Sequence, residues 1–148
     1  MAAISQIDPK RAHELMQSGH TYVDVRTAEE YAAGHPAGAV NIPAFIRDPM
    51  GQMVPNPDFL PVVQANFGPE TPLALGCRMG GRSMRACDFL AHAGYSDLSN
   101  VAGGFGGATD PFGRLVAPGW MQMGLPIEQE ATPGASYASL RQRAAERA

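Results

Sequence analysis

Pro72-Leu73-Ala74-Leu75-Gly76-Cys77-Arg78-Met79-Gly80-Gly81-Arg82-Ser83-Met84-Arg85-Ala86-Cys87-Asp88-Phe89-Leu90-Ala91 decides the fold. The short apolar run Pro72 to Leu75 reads as a buried strand. Met84 to Ala91 reads as a helix. Between them, Cys77 to Ser83 forms a tight loop that delivers a cysteine to the start of that helix. A helix N-terminus carries unpaired N–H groups and partial positive charge. It suits an anion, and a thiolate is an anion. Cys77 is therefore the candidate seat of chemistry.

Working outward, the flanks repeat a strand-then-helix rhythm. Asp8-Pro9 opens a helix over Lys10 to Ser18, with Asp8 as N-cap, Pro9 at the first position and Gly19 as the stop. Thr21 to Val25 is rich in β-branched and aromatic residues and reads as a strand. Thr27 caps a helix over Ala28 to Ala33, with Glu30 as its capping-box partner. Ala39 to Ile42 is a second strand. Phe45 to Pro57 is expected to be a long irregular loop. Asp58 to Asn66 and Arg82 to Ala93 are expected helices, and Leu98 to Val101 a further strand. Gly103 to Gly107 forms a turn, Thr109 to Pro118 another loop, and Trp120 to Met123 a last helical turn. The tail from Ala135 to Ala148, carrying Arg141, Arg143 and Arg147, is expected to be disordered rather than an exposed helix. Short strands alternating with short helices imply an α/β domain with a mainly parallel sheet. Ligands of such sheets bind at the carboxyl ends of strands, where Cys77 falls.

Bulk properties narrow the class. The chain has 148 residues, 45% hydrophobic and 17% charged, with net charge −3. That suits a single globular domain. It argues against nucleic-acid binding, which usually leaves a basic patch. No apolar run approaches the ~20 residues that span a bilayer. The first residues, Met1 to Asp8, lack the pattern of a signal peptide, so a cytoplasmic protein is expected. The two cysteines, Cys77 and Cys87, show no CxxC pairing, and His13, His20, His35 and His92 are scattered. No metal and no cofactor are expected. Cys87 reads as a small buried apolar residue, the alternative being a resolving thiol for Cys77.

Three segments in order carry a family resemblance. They are Tyr22-Val23-Asp24-Val25-Arg26 running on through Gly34-His35-Pro36 to Ile42-Pro43, the loop Cys77 to Ser83, and Asn100-Val101-Ala102-Gly103-Gly104-Phe105 with Trp120 and Gly124-Leu125-Pro126 beyond. Together they resemble the rhodanese domains, and the whole is similar to a single-domain thiosulfate sulfurtransferase. The resemblance spans Ile4 to Ile127. It implies a single rhodanese-like domain over residues 1–130, with a mainly parallel sheet flanked by helices, and a polar tail over 131–148. Gly76 departs from the family, which commonly has an aromatic or apolar residue before the cysteine.

The implied chemistry is sulfur transfer through a Cys77 persulfide. The implied donor is a small anion, thiosulfate or a persulfide, and the implied acceptor a thiol, cyanide or a protein cysteine. No membrane partner is implied. A free thiol has a pKa of ~8.5, so the loop must favour the charged form. With no histidine visible as a base, the backbone N–H groups of Arg78 to Arg82 take that task. Gly80 and Gly81 permit the backbone angles that such a ring needs. Arg82 closes the loop, as catalytic buttress or source of charge. Arg78 is placed either to hold a sulfonate or to stand exposed with no such task. Met79 shapes the mouth or simply faces solvent, and Ser83 donates to the sulfur or merely caps the helix. Asp24 is expected near the loop, holding its N–H groups or pairing with an arginine, and Arg26 is read as a structural ion pair. His35 and Trp120 read as packing residues, Phe105 as core or pocket wall.

Two rival readings remain. A non-catalytic regulatory module of the same fold is one, since fold does not fix function. A cysteine phosphatase or arsenate reductase is the other. Their loops place five residues between cysteine and arginine, whereas four stand between Cys77 and Arg82. A phosphatase also needs a general acid, for which Asp110 is the candidate, although Asp110-Pro111 reads as a turn.

Overall fold

The apolar run before Cys77 lies at the centre of a parallel sheet. The computed structural model describes residues 3–147; Met1, Ala2 and Ala148, which entered the reading of the two termini, lie outside the described residues. In chain order the elements are β1 (Ile4–Ile7), α1 (Pro9–Gln17), β2 (Thr21–Asp24), α2 (Ala28–Ala33), β3 (His35–Pro36) and β4 (Val40–Asn41). Then come β5 (Phe45–Arg47), β6 (Met53–Pro55), α3 (Phe59–Asn66), β7 (Leu73–Gly76), α4 (Gly81–His92) and β8 (Leu98–Val101). Last are β9 (Ala108–Thr109), β10 (Leu115–Ala117), β11 (Ile127–Glu128) and α5 (Tyr137–Arg147).

The main sheet has the order β1-β8-β7-β2-β4, and its pairings are parallel. Strand β7 is buried along its whole length because it has neighbours on both edges and apolar layers on both faces. Period-two alternation sorts the side chains. Val23, Leu73 and Leu75 enter a core with Val63, Cys87 and Leu90. Tyr22 and Ala74 enter a second core with Ala12, Tyr31 and Trp120. The α/β class with a parallel sheet flanked by helices is as the sequence implied.

Local capping explains the helices. Asp8 accepts a hydrogen bond from the Arg11 N–H at 2.8 Å, and Pro9 stands at the first turn. Thr27 and Glu30 form a complete capping box.

Three expectations need correction. The segment from Phe45 to Pro57 is a β5–β6 hairpin, not an irregular loop. Asp48 accepts from the N–H groups of Met50 and Gln52, which closes its turn. Thr109 to Pro118 likewise belongs to the β9–β10 hairpin, where Asp110 accepts from Phe112 and Arg114 N–H. The tail contains helix α5, against the expectation of disorder. Leu140 is buried, with Tyr137 and Ala144 packed beside the same core. Those residues, three and four apart, make one apolar stripe. Asn66 on α3 donates to the Leu140 carbonyl, and Asn56 donates to the Tyr137 hydroxyl. Among the described residues, no helix is long and apolar enough to cross a membrane.

Candidate active site

Strand β7 ends at Gly76 and helix α4 begins at Gly81, so Cys77 to Gly80 turns between them at the carboxyl edge of the sheet. Cys77 lies at the floor of this turn, 2% exposed, while Arg78, Met79 and Gly81 face outward. A reactant must reach the sulfur past those residues. The floor is fixed from behind. Phe105 N–H donates to the Cys77 carbonyl at 2.8 Å, and Gly106 N–H to that of Arg78 at 2.9 Å.

The Gly80 N–H donates to Cys77 Sγ at 3.0 Å. Gly80 can do this because its φ is 116°, in the left-handed region, which turns the amide back toward the start of the loop. The amides of Arg78, Met79, Gly81, Arg82 and Ser83 donate to no protein acceptor among the described residues. The Ser83 hydroxyl has one proton and three acceptors in reach: Asn100 Oδ1 at 2.5 Å, the Gly80 carbonyl at 3.1 Å and Cys77 Sγ at 3.4 Å. Asn100 is held by its own amide N–H, which donates to Gln6 Oε1 at 2.9 Å. The hydroxyl therefore rests on Asn100 and can turn to a charged sulfur.

Arg82 closes the loop by pairing with Glu30 on α2. Its two terminal nitrogens donate to the two carboxylate oxygens at 2.8 and 3.1 Å. Glu30 is partly buried, which opposes its charge, but the hydrogen bonds from Arg82 and from the Thr27 backbone outweigh that and bring its pKa down to about 2. Arg82 is raised in turn, chiefly by its hydrogen bond to Glu30. The geometry is that of a buttress tying the loop to α2. Arg78 is different. It is exposed, lies along Gly106 and has no carboxylate partner among the described residues. It borders a cleft of about 190 Å³ with Arg26, Gly34 and Phe105. Met79 is 47% exposed at the rim.

Asp24 pairs with an arginine, one of the two roles read for it, and that pairing corrects its place among the substrate-binding residues. It is 1% exposed, and both its oxygens are occupied by Arg26. A buried, fully paired carboxylate has nothing to offer an anionic donor. It positions Arg26, whose guanidinium also donates to the Gly34 carbonyl and covers the Phe105 ring at 4.4 Å. His35 is fully buried, stacked on Tyr31 at 3.6 Å, with Nδ1 donating to the Tyr31 carbonyl at 2.7 Å. Trp120 is also buried and donates from its indole to the Pro126 carbonyl. Both are packing residues, as read. Phe105 serves core and cleft alike. Asp110 is occupied in its hairpin turn and supplies no general acid.

Sequence reasoning missed the second task of Glu30, since the capping box already accounted for it. It also missed Asn100 and Tyr22. The Tyr22 hydroxyl fills the space where a Cβ on residue 76 would stand, so only glycine fits before the cysteine. The unusual Gly76 was the signal. Burial, then the nearby Asp24 charge, pushes the Tyr22 hydroxyl well above its usual range, so it stays neutral beneath the loop.

Residues 8–109 match the family described as the Rhodanese-like domain. The chain belongs to this rhodanese-like family. Among relatives, it is 38% identical over 124 residues to Thiosulfate sulfurtransferase 16, chloroplastic, of Arabidopsis thaliana, covering 84% of this chain and 92% of that one. It is 28% identical to Thiosulfate sulfurtransferase GlpE of Haemophilus influenzae (strain PittEE) over 127 residues, covering 85% and 96% of the two. Among solved structures, the rhodanese-like fold here is similar to that of Rv0390 from M. tuberculosis, with a TM-score of 0.69 and 29% identity, covering 88% of this chain and 100% of that one.

Proposed function

We propose that this rhodanese-like domain is a sulfurtransferase that carries sulfane sulfur from thiosulfate on Cys77. The observation that carries the reading is the Gly80 amide donating to Cys77 Sγ, in a loop whose other amides have no protein acceptor among the described residues. The names of its relatives support thiosulfate as donor.

In the first step the Cys77 thiolate attacks the outer sulfur of thiosulfate. A bond forms between the two sulfurs, the sulfur–sulfur bond of thiosulfate breaks, and its electron pair leaves on sulfite. Arg78, unpaired and beside the nucleophile, holds the sulfonate end while the negative charge passes inward. The transferred sulfur, now the charged end of Cys77–S–S⁻, lies against the free loop amides. These donors are fixed before reaction, so they stabilise the new anion without reorganising. Ser83 gives its proton toward Sγ while that sulfur is charged and returns it to Asn100 when it is not. In the second step cyanide, a thiol or a protein cysteine attacks the outer sulfur, and Cys77 leaves as thiolate. This is covalent catalysis by double displacement.

The test is stoichiometric. With thiosulfate and no acceptor, the protein should release a burst of one sulfite per chain and stop. Adding cyanide should restart sulfite release and form thiocyanate. Sulfite release that requires both reactants together would count against a Cys77 carrier.

A further inference from the structure

A cavity of about 340 Å³ lies between α2 and α5, at the small end of the range for ligand sites. No residue from Cys77 to Ser83 lines it. Ala28, Tyr31 and Ala32 form one wall, on a shared face of α2, because Tyr31 and Ala32 follow Ala28 by three and four residues. Tyr137 and Ala138, at the start of α5, belong to the other wall, and Asn41 of β4 joins the two. The tail that supplies this second wall lies beyond residues 8–109, the stretch that matches the rhodanese-like family.

Asn41 is fully buried. Its Nδ2 donates to the carbonyls of Asp24 at 2.9 Å and Arg26 at 3.0 Å. Turning the amide over would set its oxygen against those two carbonyls, so the orientation is fixed. Its Oδ1 then meets no donor among the described residues, although buried polar atoms are nearly always paired. The wall donors are committed elsewhere. The Tyr31 hydroxyl donates to the Ala39 carbonyl, the Ser136 hydroxyl to Ser139 and the Gln129 amide to the Ala33 carbonyl. Arg141 lines the same cavity from an exposed position, with its guanidinium 5.4 Å from the centre of the Tyr137 ring. It has no carboxylate partner among the described residues. An unmet acceptor, a wall of alanine methyls and tyrosine rings, and an unmet cation thus share one cavity. We propose that this cavity binds a small aromatic carboxylate that carries a hydroxyl at the end opposite its acid group. The hydroxyl donates to Asn41 Oδ1. The ring lies flat along the alanines, where longer side chains would exclude it, and against the tyrosines. The carboxylate meets Arg141.

The experiment is a calorimetric titration of the full chain with 3-(4-hydroxyphenyl)propionate, which should bind at one site per chain. The analogue 3-phenylpropionate lacks the donor, and 3-(4-methoxyphenyl)propionate can only accept; each should bind about tenfold more weakly. The neutral 3-(4-hydroxyphenyl)propan-1-ol should bind up to about fivefold more weakly, since Arg141 is exposed and its ion pair is screened. In Arg141→Gln the acid and this alcohol should bind alike. Ala32→Leu stands at an exposed helix position that leucine suits, so circular dichroism should stay native while the added side chain fills the cavity and abolishes binding. Cys77→Ser and Arg78→Gln should bind the probe as the unaltered protein does, because neither residue lines the cavity. Equal affinity for the phenyl and hydroxyphenyl acids, weakening by Arg78→Gln in place of Arg141→Gln, or no saturable binding by the folded chain overturns the assignment.

Discussion

Cys77 and Cys87 occupy the two ends of one structural idea. Both belong to the loop and helix that follow β7, both are free thiols, and both are buried, at 2% and 0% exposure. Their hydrogen bonding differs. Cys77 Sγ receives the Gly80 N–H at the open end of α4. Cys87 lies within α4, where the amides are already used, and its thiol points toward the Ser99 carbonyl at 3.8 Å. Burial pushes the Cys87 thiol up to about 12, with no donor to offset it. On the proposed reading, the helix terminus, rather than residue type or depth, is what would separate a nucleophile from a packing residue.

The contrast can be broken most sharply by exchanging the thiols for hydroxyls. Cys77→Ser should cost about 10³-fold or more in turnover, as loss of a covalent nucleophile does. Cys87→Ser should leave turnover within about twofold and cost about 1–3 kcal/mol of stability, because it buries a hydroxyl with a poor partner. Comparable activity losses in both variants would erase the distinction.

The contribution of the amide can be isolated at its own residue. Gly80→Ala adds a side chain where φ is 116°, so the turn must relax and carry the N–H off the sulfur. Turnover should fall about 10- to 100-fold, the effect of losing one preorganised donor. Circular dichroism should stay native; a folded Gly80→Ala protein with full activity would remove the amide from the account.

A smaller effect is expected at the buttress. The Glu30 pKa is lowered in the folded state from 4.5 to about 2, so its contribution is complete above pH 4.5 and is lost as pH falls toward 2. Glu30→Gln should therefore be less stable than the unaltered protein at neutral pH, by about 0.5–1 kcal/mol after solvent screening. The two should converge near pH 2. Urea unfolding at a series of pH values reads this directly, and a gap that widens toward acid would contradict the pairing. The same partnership holds the loop mouth, so Glu30→Gln should also loosen Cys77 relative to Cys87 in alkylation assays.

Much of this arrangement was legible in the chain. The strand and helix about Cys77, the capping box at Thr27 and the Asp8-Pro9 helix start all rest on local chemistry, and local chemistry is written in neighbouring residues. The hairpins were not legible, because Phe45 to Pro57 is rich in breakers, and its turn is organised by the side chains of Asp48 and Arg47 rather than by a recognisable turn dipeptide. Helix α5 was misjudged because its polar residues outnumber the stripe of Tyr137, Leu140 and Ala144, and the groove beside α3 that receives the stripe is far away in sequence. Strand β1, Ile4–Ile7, passed unnoticed as an edge strand with only its two end residues partly buried. The turn from β7 into α4 at Cys77 to Gly80 was readable from its motif. For Asp24 the loop and a neighbouring arginine both stood open, because a carboxylate at a strand end has the same sequence signature in either case; its partner is Arg26.

The most direct test is the mass of the peptides bearing each cysteine after incubation with thiosulfate alone. The account predicts one added sulfur atom on the peptide of Cys77, removed by cyanide, and none on that of Cys87. Added sulfur on Cys87, or none on Cys77 in a protein whose fold is intact, would contradict it.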